Sequence, residues 1–126
     1  MTVILDASAV LAFLQGEPGA EEVESHLESG AVIGAANWSE ITQKVVARTG
    51  TWAVASALLE SYGVEVAPVT RADGEKAAAL WRPGSGLSLA DRLCLALASR
   101  LGLPALTADT AWGDGTDHGP KIRQIR

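Results

Sequence analysis

The sequence predicts an α/β domain with a mainly parallel central sheet, and three observations carry that reading. Short apolar segments of strand length alternate with longer segments of helical periodicity along the whole chain. Glycine or proline punctuates the junctions, as at Gly16, Pro18, Gly30, Gly63, Gly102 and Pro104. The 126 residues, 48% apolar and 20% charged, suit one domain (residues 1–126) around one substantial core.

Thr2 to Leu5 is a short apolar strand that stops at Asp6. Ser8 to Gln15 reads as a helix closed by Gly16 and Pro18, and Ala20 to Ser29 as a second, with Val23 and Leu27 four residues apart on its inner face. After Gly30, "AVIGAA" from Ala31 makes the next strand. Asn37 is expected to cap a helix running to about Thr49, and Thr51 to open another through about Tyr62. "VEVAPV" from Val64 is a strand running into a loop, and Arg71 to Trp81 is helical. "RPGSG" is a loop before the most regular helix, Ser88 to Leu101, in which Leu89, Leu93, Leu97 and Leu101 are expected to form one buried stripe. Gly102 and Pro104 end that helix, "ALT" supplies a strand, and "KIRQIR" closes the chain as an edge strand.

In an open parallel sheet, ligands gather outside the carboxyl ends of the strands. Four acids map to that edge: Asp6 after the first strand, Glu40 and Asp91 in the first turns of helices, and Asp109 after "ALT". Each alone reads equally well as helix punctuation. "SLAD" matches a capping box ending in Asp91, "NWSE" repeats the pattern with Glu40, and Asp6 suits an N-cap. Together they carry a different meaning. Carboxylates about 5 Å apart repel by roughly 3 kcal/mol at an effective dielectric near 20. A converging cluster must therefore take up protons or bind cations, and oxygen-only ligands favour Mg²⁺ or Mn²⁺ over zinc.

Four stretches in this order resemble the PIN domains, and more narrowly the VapC-type toxins of bacterial toxin–antitoxin modules. They are "VILDASAVLAFL" with Asp6 and Ser8, "NWSE" with Glu40, "GLSLADRLCLALA" with Asp91, and "LTADTAW" with Asp109. The resemblance spans nearly the whole chain. It implies a three-layer α/β/α sandwich and a Mg²⁺- or Mn²⁺-dependent endoribonuclease acting on RNA. Asp6, Asp91 and Asp109 would ligate metal, with Glu40 doing so directly or through water. Ser8 and Thr107 match small hydroxyl positions that would hydrogen-bond those ligands. The resemblance also implies a cognate antitoxin protein as partner, and a homodimer is expected.

The remaining features bound this picture. Asp114 is either an auxiliary acid or part of a solvated turn, and Arg92 either faces phosphate or pairs with a surface acid. The lone Cys94, flanked by Leu93, Leu95 and Ala96, reads as a buried thiol, and His26 and His118 stand too far apart to suggest a zinc site. The four tryptophans read as core or interface residues. A net charge of −5 argues against broad electrostatic binding of nucleic acid, yet bound divalent cations reverse the sign of an acidic pocket. No apolar stretch reaches membrane-spanning length and the start lacks a basic secretory leader, so a cytoplasmic protein without membrane association is expected. A receiver domain would need a lysine after a late strand, and a haloacid-dehalogenase-like phosphatase a second Asp at position 8; neither pattern is met. The alternative that stays open is a catalytically silent PIN-like module that binds RNA or protein. Apolar residues on the early helices, Leu11, Leu14 and Val23, would serve a partner helix if exposed and the core if not.

Overall fold

Five strands form one sheet: β1 (Val3–Leu5), β2 (Ala31–Gly34), β3 (Glu65–Ala67), β4 (Ala105–Thr107) and β5 (Ile122–Gln124). Their order is β3-β2-β1-β4-β5, and every neighbouring pair is parallel. The computed structural model describes residues 1–48 and 50–126. Parallel neighbours cannot be joined by a tight turn, so helices carry the chain back. These are α1 (Ala7–Gln15), α2 (Ala20–Ser29), α3 (Ala35–Arg48), α4 (Trp52–Ser61), α5 (Arg71–Ala79) and α6 (Leu89–Leu101). The last crossing uses a 3₁₀ turn (Thr110–Trp112) and a glycine-rich loop instead.

Strand periodicity divides the core in two. Val3, Leu5, Ile33 and Leu106 face α1 to α4, while Ile4, Val32, Ala105 and Ile122 face α6. Val3, Ile4 and Leu5 are all 0% exposed, so both faces of β1 are covered and the fold has three layers. α5 packs on α6. The α/β/α sandwich expected from the sequence is therefore the architecture observed. No helix among the described residues is long and apolar enough to cross a membrane.

Three local expectations need correction. The buried face of α6 is Cys94, Leu95, Leu97 and Ala98, whereas Leu89 and Leu101 are 58% and 41% exposed. Steps of four residues overshoot a full turn by about 40°, so a stripe of three such steps winds off the core face. Next, α3 starts at Ala35, directly after β2, so Asn37 lies inside its first turn and caps nothing. A side chain at Gly34 would approach Asn37 Oδ1 and Leu97 Cδ2 to 3.3 Å, and its absence lets the first turn of α3 fold tightly against the strand. The expected end of that helix at Thr49 lies outside the described residues; Arg48 is its last described residue. Finally, Leu11 and Val23 are core residues, and only Leu14 remains half-buried, in a groove of about 210 Å³ with Val45, Val54, Ala55 and Leu58.

A capping box missed in the sequence begins α5, where Thr70 and Asp73 bond reciprocally. Asp73 also receives a two-pronged contact from Arg100, Nε to Oδ1 at 2.9 Å and Nη2 to Oδ2 at 3.1 Å. This pair ties the start of α5 to the end of α6, so the end of α5 lies beside the start of α6.

Gly19 shows where the backbone admits no side chain. Its φ is +95°, and a Cβ would sit 2.7 Å from the Ile125 carbonyl oxygen. Left-handed strain and backbone overlap add, so Gly19→Ala is expected to cost at least about 2 kcal/mol in urea unfolding. A midpoint unchanged from the parent would show that α2 and the C-terminal strand part freely.

Candidate functional site

The strand order turns round between β1 and β4, the position where open parallel sheets bind ligands. Asp6 leaves β1 at this point and its backbone N–H donates to the Leu106 carbonyl at 3.1 Å. Asp6 caps α1 through Oδ1, which accepts from the Ala9 N–H at 2.8 Å. Two hydroxyls complete its surroundings. Ser8 Oγ stands 2.8 and 2.9 Å from the two carboxylate oxygens, and Thr107 Oγ1 donates to Oδ2 at 2.6 Å. The same hydroxyls accept from the next loop, Ser8 from the Ala108 N–H at 2.9 Å and Thr107 from the Asp109 N–H at 3.0 Å. Asp6 is thus joined to the backbone of Asp109 across 103 positions of sequence. It is 2% exposed, and burial pushes its carboxyl up to about 6 against these hydrogen bonds, with a further push from the charge of Asp91.

Asp91 closes the capping box of α6: its Oδ2 accepts from the Ser88 N–H at 2.9 Å, and its own N–H donates to Ser88 Oγ at 3.1 Å. Burial raises its carboxyl above the usual range, and the negative charge of Asp109 adds to that. The indole of Trp112, 1% exposed with no hydrogen-bond partner at bonding distance for Nε1, lies near enough to favour the charged form. Glu40, in the second turn of α3, is likewise raised by burial first and by the charge of Asp91 second, with Lys44 opposing. Asp109 caps the 3₁₀ turn, its Oδ1 accepting from the Ala111 N–H at 2.9 Å.

Asp6, Glu40 and Asp109 therefore each lie within electrostatic reach of Asp91, which stands at the centre of the four acids singled out in the sequence. Three of them are also caps, so punctuation and clustering hold together. Glu40 is the exception, because no cap exists at Asn37. Among the described residues, no three His, Cys, Asp or Glu side chains stand close enough to hold a metal ion as they are placed; Asp6, Asp91 and Asp109 are each bonded to their own helix end. The donor set is nevertheless all oxygen and carries repulsion that a cation would relieve, which suits a hard divalent ion. Thiolate chemistry is absent from it. Cys94, one turn beyond Asp91, is 0% exposed, and burial together with the charges of Asp6, Asp91 and Glu40 raises its thiol well above the ordinary range.

Asp114 is exposed in a turn, its Oδ1 accepting from the Gly115 N–H at 3.0 Å, which is the solvated-turn arrangement. Arg92 pairs with no acid among the described residues; its Nη1 donates to the Ala77 carbonyl at 2.9 Å. Asn37 went unrecognised as part of the site. It is 1% exposed, and its Nδ2 donates to Glu40 Oε1 at 3.3 Å and approaches the Ala90 carbonyl at 3.5 Å, linking α3 to the first turn of α6. The three-residue spacing in "NWSE" was its signal, read as a cap. Trp112 had no sequence signal beyond its residue type.

Residues 3–114 match the family of the PIN domain. No curated protein matches the sequence. Among solved structures, a toxin–antitoxin complex from Klebsiella pneumoniae superposes with a TM-score of 0.73 at 20% identity, covering 98% of each chain. DNA-bound VapBC from Salmonella typhimurium gives 0.73 at 16% identity, over 100% of this chain and 99% of that one. The sarcin-ricin loop cleaving toxin VapC20 of Mycobacterium tuberculosis gives 0.68 at 20% identity, over 86% and 90%. At these identities the likeness is one of fold.

Proposed function

The chain belongs to the PIN domain family, and on that premise we propose that it is a Mg²⁺- or Mn²⁺-dependent endoribonuclease, the toxin of a toxin–antitoxin module. One observation carries the reading: at the turning point of a parallel sheet, Asp6, Glu40 and Asp109, from three separate segments, each act on the charge of Asp91, and Thr107 ties Asp6 to the Asp109 backbone. Asp6, Asp91 and Asp109 would hold the cation, with Glu40 acting directly or through water. A divalent ion there supplies charge neutralisation at a phosphoryl group and activation of a water at neutral pH.

The chain's own residues do the rest. Ser8 and Thr107 fix the orientation of the Asp6 carboxylate and tie it to the loop that carries Asp109. Asn37 holds Glu40 toward the start of α6. Trp112, buried near Asp91, favours the charged form of its carboxylate. The fold shared with toxin–antitoxin complexes supports an antitoxin protein as partner. A basic side chain inserted by that partner would pair with the carboxylates in the cation's place. Leu14 and its groove offer apolar surface for the partner's segment.

The test is cleavage of a structured RNA by the purified protein with Mg²⁺ or Mn²⁺ and with chelator, read alongside thermal melting. Cleavage is expected only with the cation. At about a hundredfold excess over its dissociation constant, the cation is also expected to stabilise the native state by about 2.7 kcal/mol. The double variant Asp6→Asn/Asp109→Asn is expected to lose both effects. Melting unaffected by the cation together with no cleavage would leave the catalytically silent module as the reading. Co-purification with the product of the adjacent reading frame tests the partner: no complex, or a complex that still cleaves freely, would remove the toxin role and leave the nuclease.

A further inference from the structure

Beside the carboxylates, the end of α5 gathers cations and an exposed indole. Arg92, the residue after Asp91, sends Nη1 to the Ala77 carbonyl at 2.9 Å. Arg82, just past α5, sends its Nη1 to the Ala79 carbonyl at 3.0 Å and to the Trp81 carbonyl at 2.7 Å. The carbonyls at the negative end of the helix draw both guanidinium groups, Arg92 sharing the Ala77 oxygen with the Leu80 N–H. Arg71, Arg100, Arg123 and Arg126 each pair with a carboxylate, whereas Arg82 and Arg92 pair with none among the described residues. Each spends one terminal nitrogen on the helix end; Arg92 Nε is buried, so its other terminal nitrogen is the one left to a ligand. Each guanidinium keeps a free terminal nitrogen with two N–H donors for an anion.

Trp81 stands at the same place and differs from the other tryptophans. Trp112 is 1% exposed, and Trp38 and Trp52 pack edge to face with centroids 5.1 Å apart. Trp81 is 56% exposed and, across the loop, Leu89 at the start of α6 is 58% exposed. Two cations without acids, set beside an exposed aromatic face in a protein of net charge −5, match an anionic ligand that also carries flat apolar groups. A strand of nucleotides has that chemistry, with phosphates for the guanidinium groups and a base for the indole. A duplex keeps its bases in the stack and offers none to Trp81.

We propose that Trp81, Arg82 and Arg92 form a subsite for single-stranded RNA beside the carboxylates, a base stacking on Trp81 while adjacent phosphates meet Arg82 and Arg92. The subsite rests on the nuclease reading and names the residues of this chain that hold the strand. It explains how an acidic protein holds a polyanion: the cations that matter are local and unpaired.

The experiment measures fluorescence anisotropy of a labelled ten-nucleotide single-stranded RNA of mixed sequence, with Mg²⁺, in an Asp109→Asn background. Trp81→Ala is expected to weaken binding at least about fivefold, the lower end of one base stack, and Trp81→Phe to restore most of it. Arg82→Gln is expected to reduce the slope of log affinity against log salt by about 0.7, one phosphate contact on a single strand. A blunt ten-base-pair RNA duplex is expected to bind equally to the Trp81→Ala variant and its parent. Wild-type protein cleaving RNA with Trp81→Ala leaving affinity unchanged would overturn the subsite alone. No binding or cleavage of RNA by the wild type would overturn the nuclease reading with it. A change in sedimentation mass on Trp81→Ala, without a change in RNA affinity, would overturn the subsite and make Trp81 part of a protein interface.

Discussion

Asp91→Asn is expected to lower RNA cleavage at least a hundredfold while moving the melting temperature by no more than about 5 °C. The two halves of that expectation have separate causes. Asparagine keeps the size of the side chain and an oxygen that accepts from the Ser88 N–H, so the loss from a weakened cap is at most about 1 kcal/mol. Neutralising the centre of the cluster also removes repulsion with Asp6, Glu40 and Asp109, which offsets part of that loss. Catalysis gains no such compensation. Removing a charged ligand costs more than the roughly 10- to 100-fold that follows from losing an outer partner of a ligand. Initial rates at saturating Mn²⁺ and a melting curve of the same sample decide the matter. A protein that melts far lower and cleaves as before would make Asp91 a helix cap and nothing more.

The stability of the metal-free protein is expected to fall as pH rises from about 4 to about 6.5. The Asp6 carboxyl sits at about 6 in the fold, above its usual 3.8. Between these values the native state holds a proton that the unfolded chain has released, so unfolding becomes easier with rising pH, by about 3 kcal/mol in all. Asp91 and Glu40, also raised, act in the same direction. Asp73 acts oppositely: Arg100 holds its carboxyl below the usual range, and its contribution is lost only as pH falls below about 4. Urea midpoints at half-unit pH intervals, in chelator, check the slope, and Asp6→Asn is expected to flatten most of it. A midpoint that rises or stays level from pH 4 to 6.5 would mean that Asp6 is charged throughout and that the cluster is not strained.

Much of this protein was determined by interactions only a few residues long, and those are legible in the chain. Apolar runs of strand length, glycine and proline at the junctions, and the Ser88–Asp91 capping box are local, and each element they mark exists within a residue or two. The four acids at the carboxyl edge also followed from the alternation of strand and helix. What escaped depends on distant residues. The face that α6 buries is set by contact with β1, β2 and β4, and the winding of the leucine stripe then exposes Leu89 and Leu101. Asn37 looked like a cap until the tight approach at Gly34 placed it inside α3. The Asp73–Arg100 pair, 27 positions apart, has no local signature, and it sets the end of α5 against the start of α6, where Arg92 reaches the Ala77 carbonyl. The charge state of Asp6 is the extreme case. Its residue type and cap position are local, but its desolvation comes from a sheet order that sets Thr107, 101 positions away, against its carboxylate. Hydrogen bonds to a residue's own turn are written in the neighbouring letters; burial and the field of other charges exist only once the strands have taken their order.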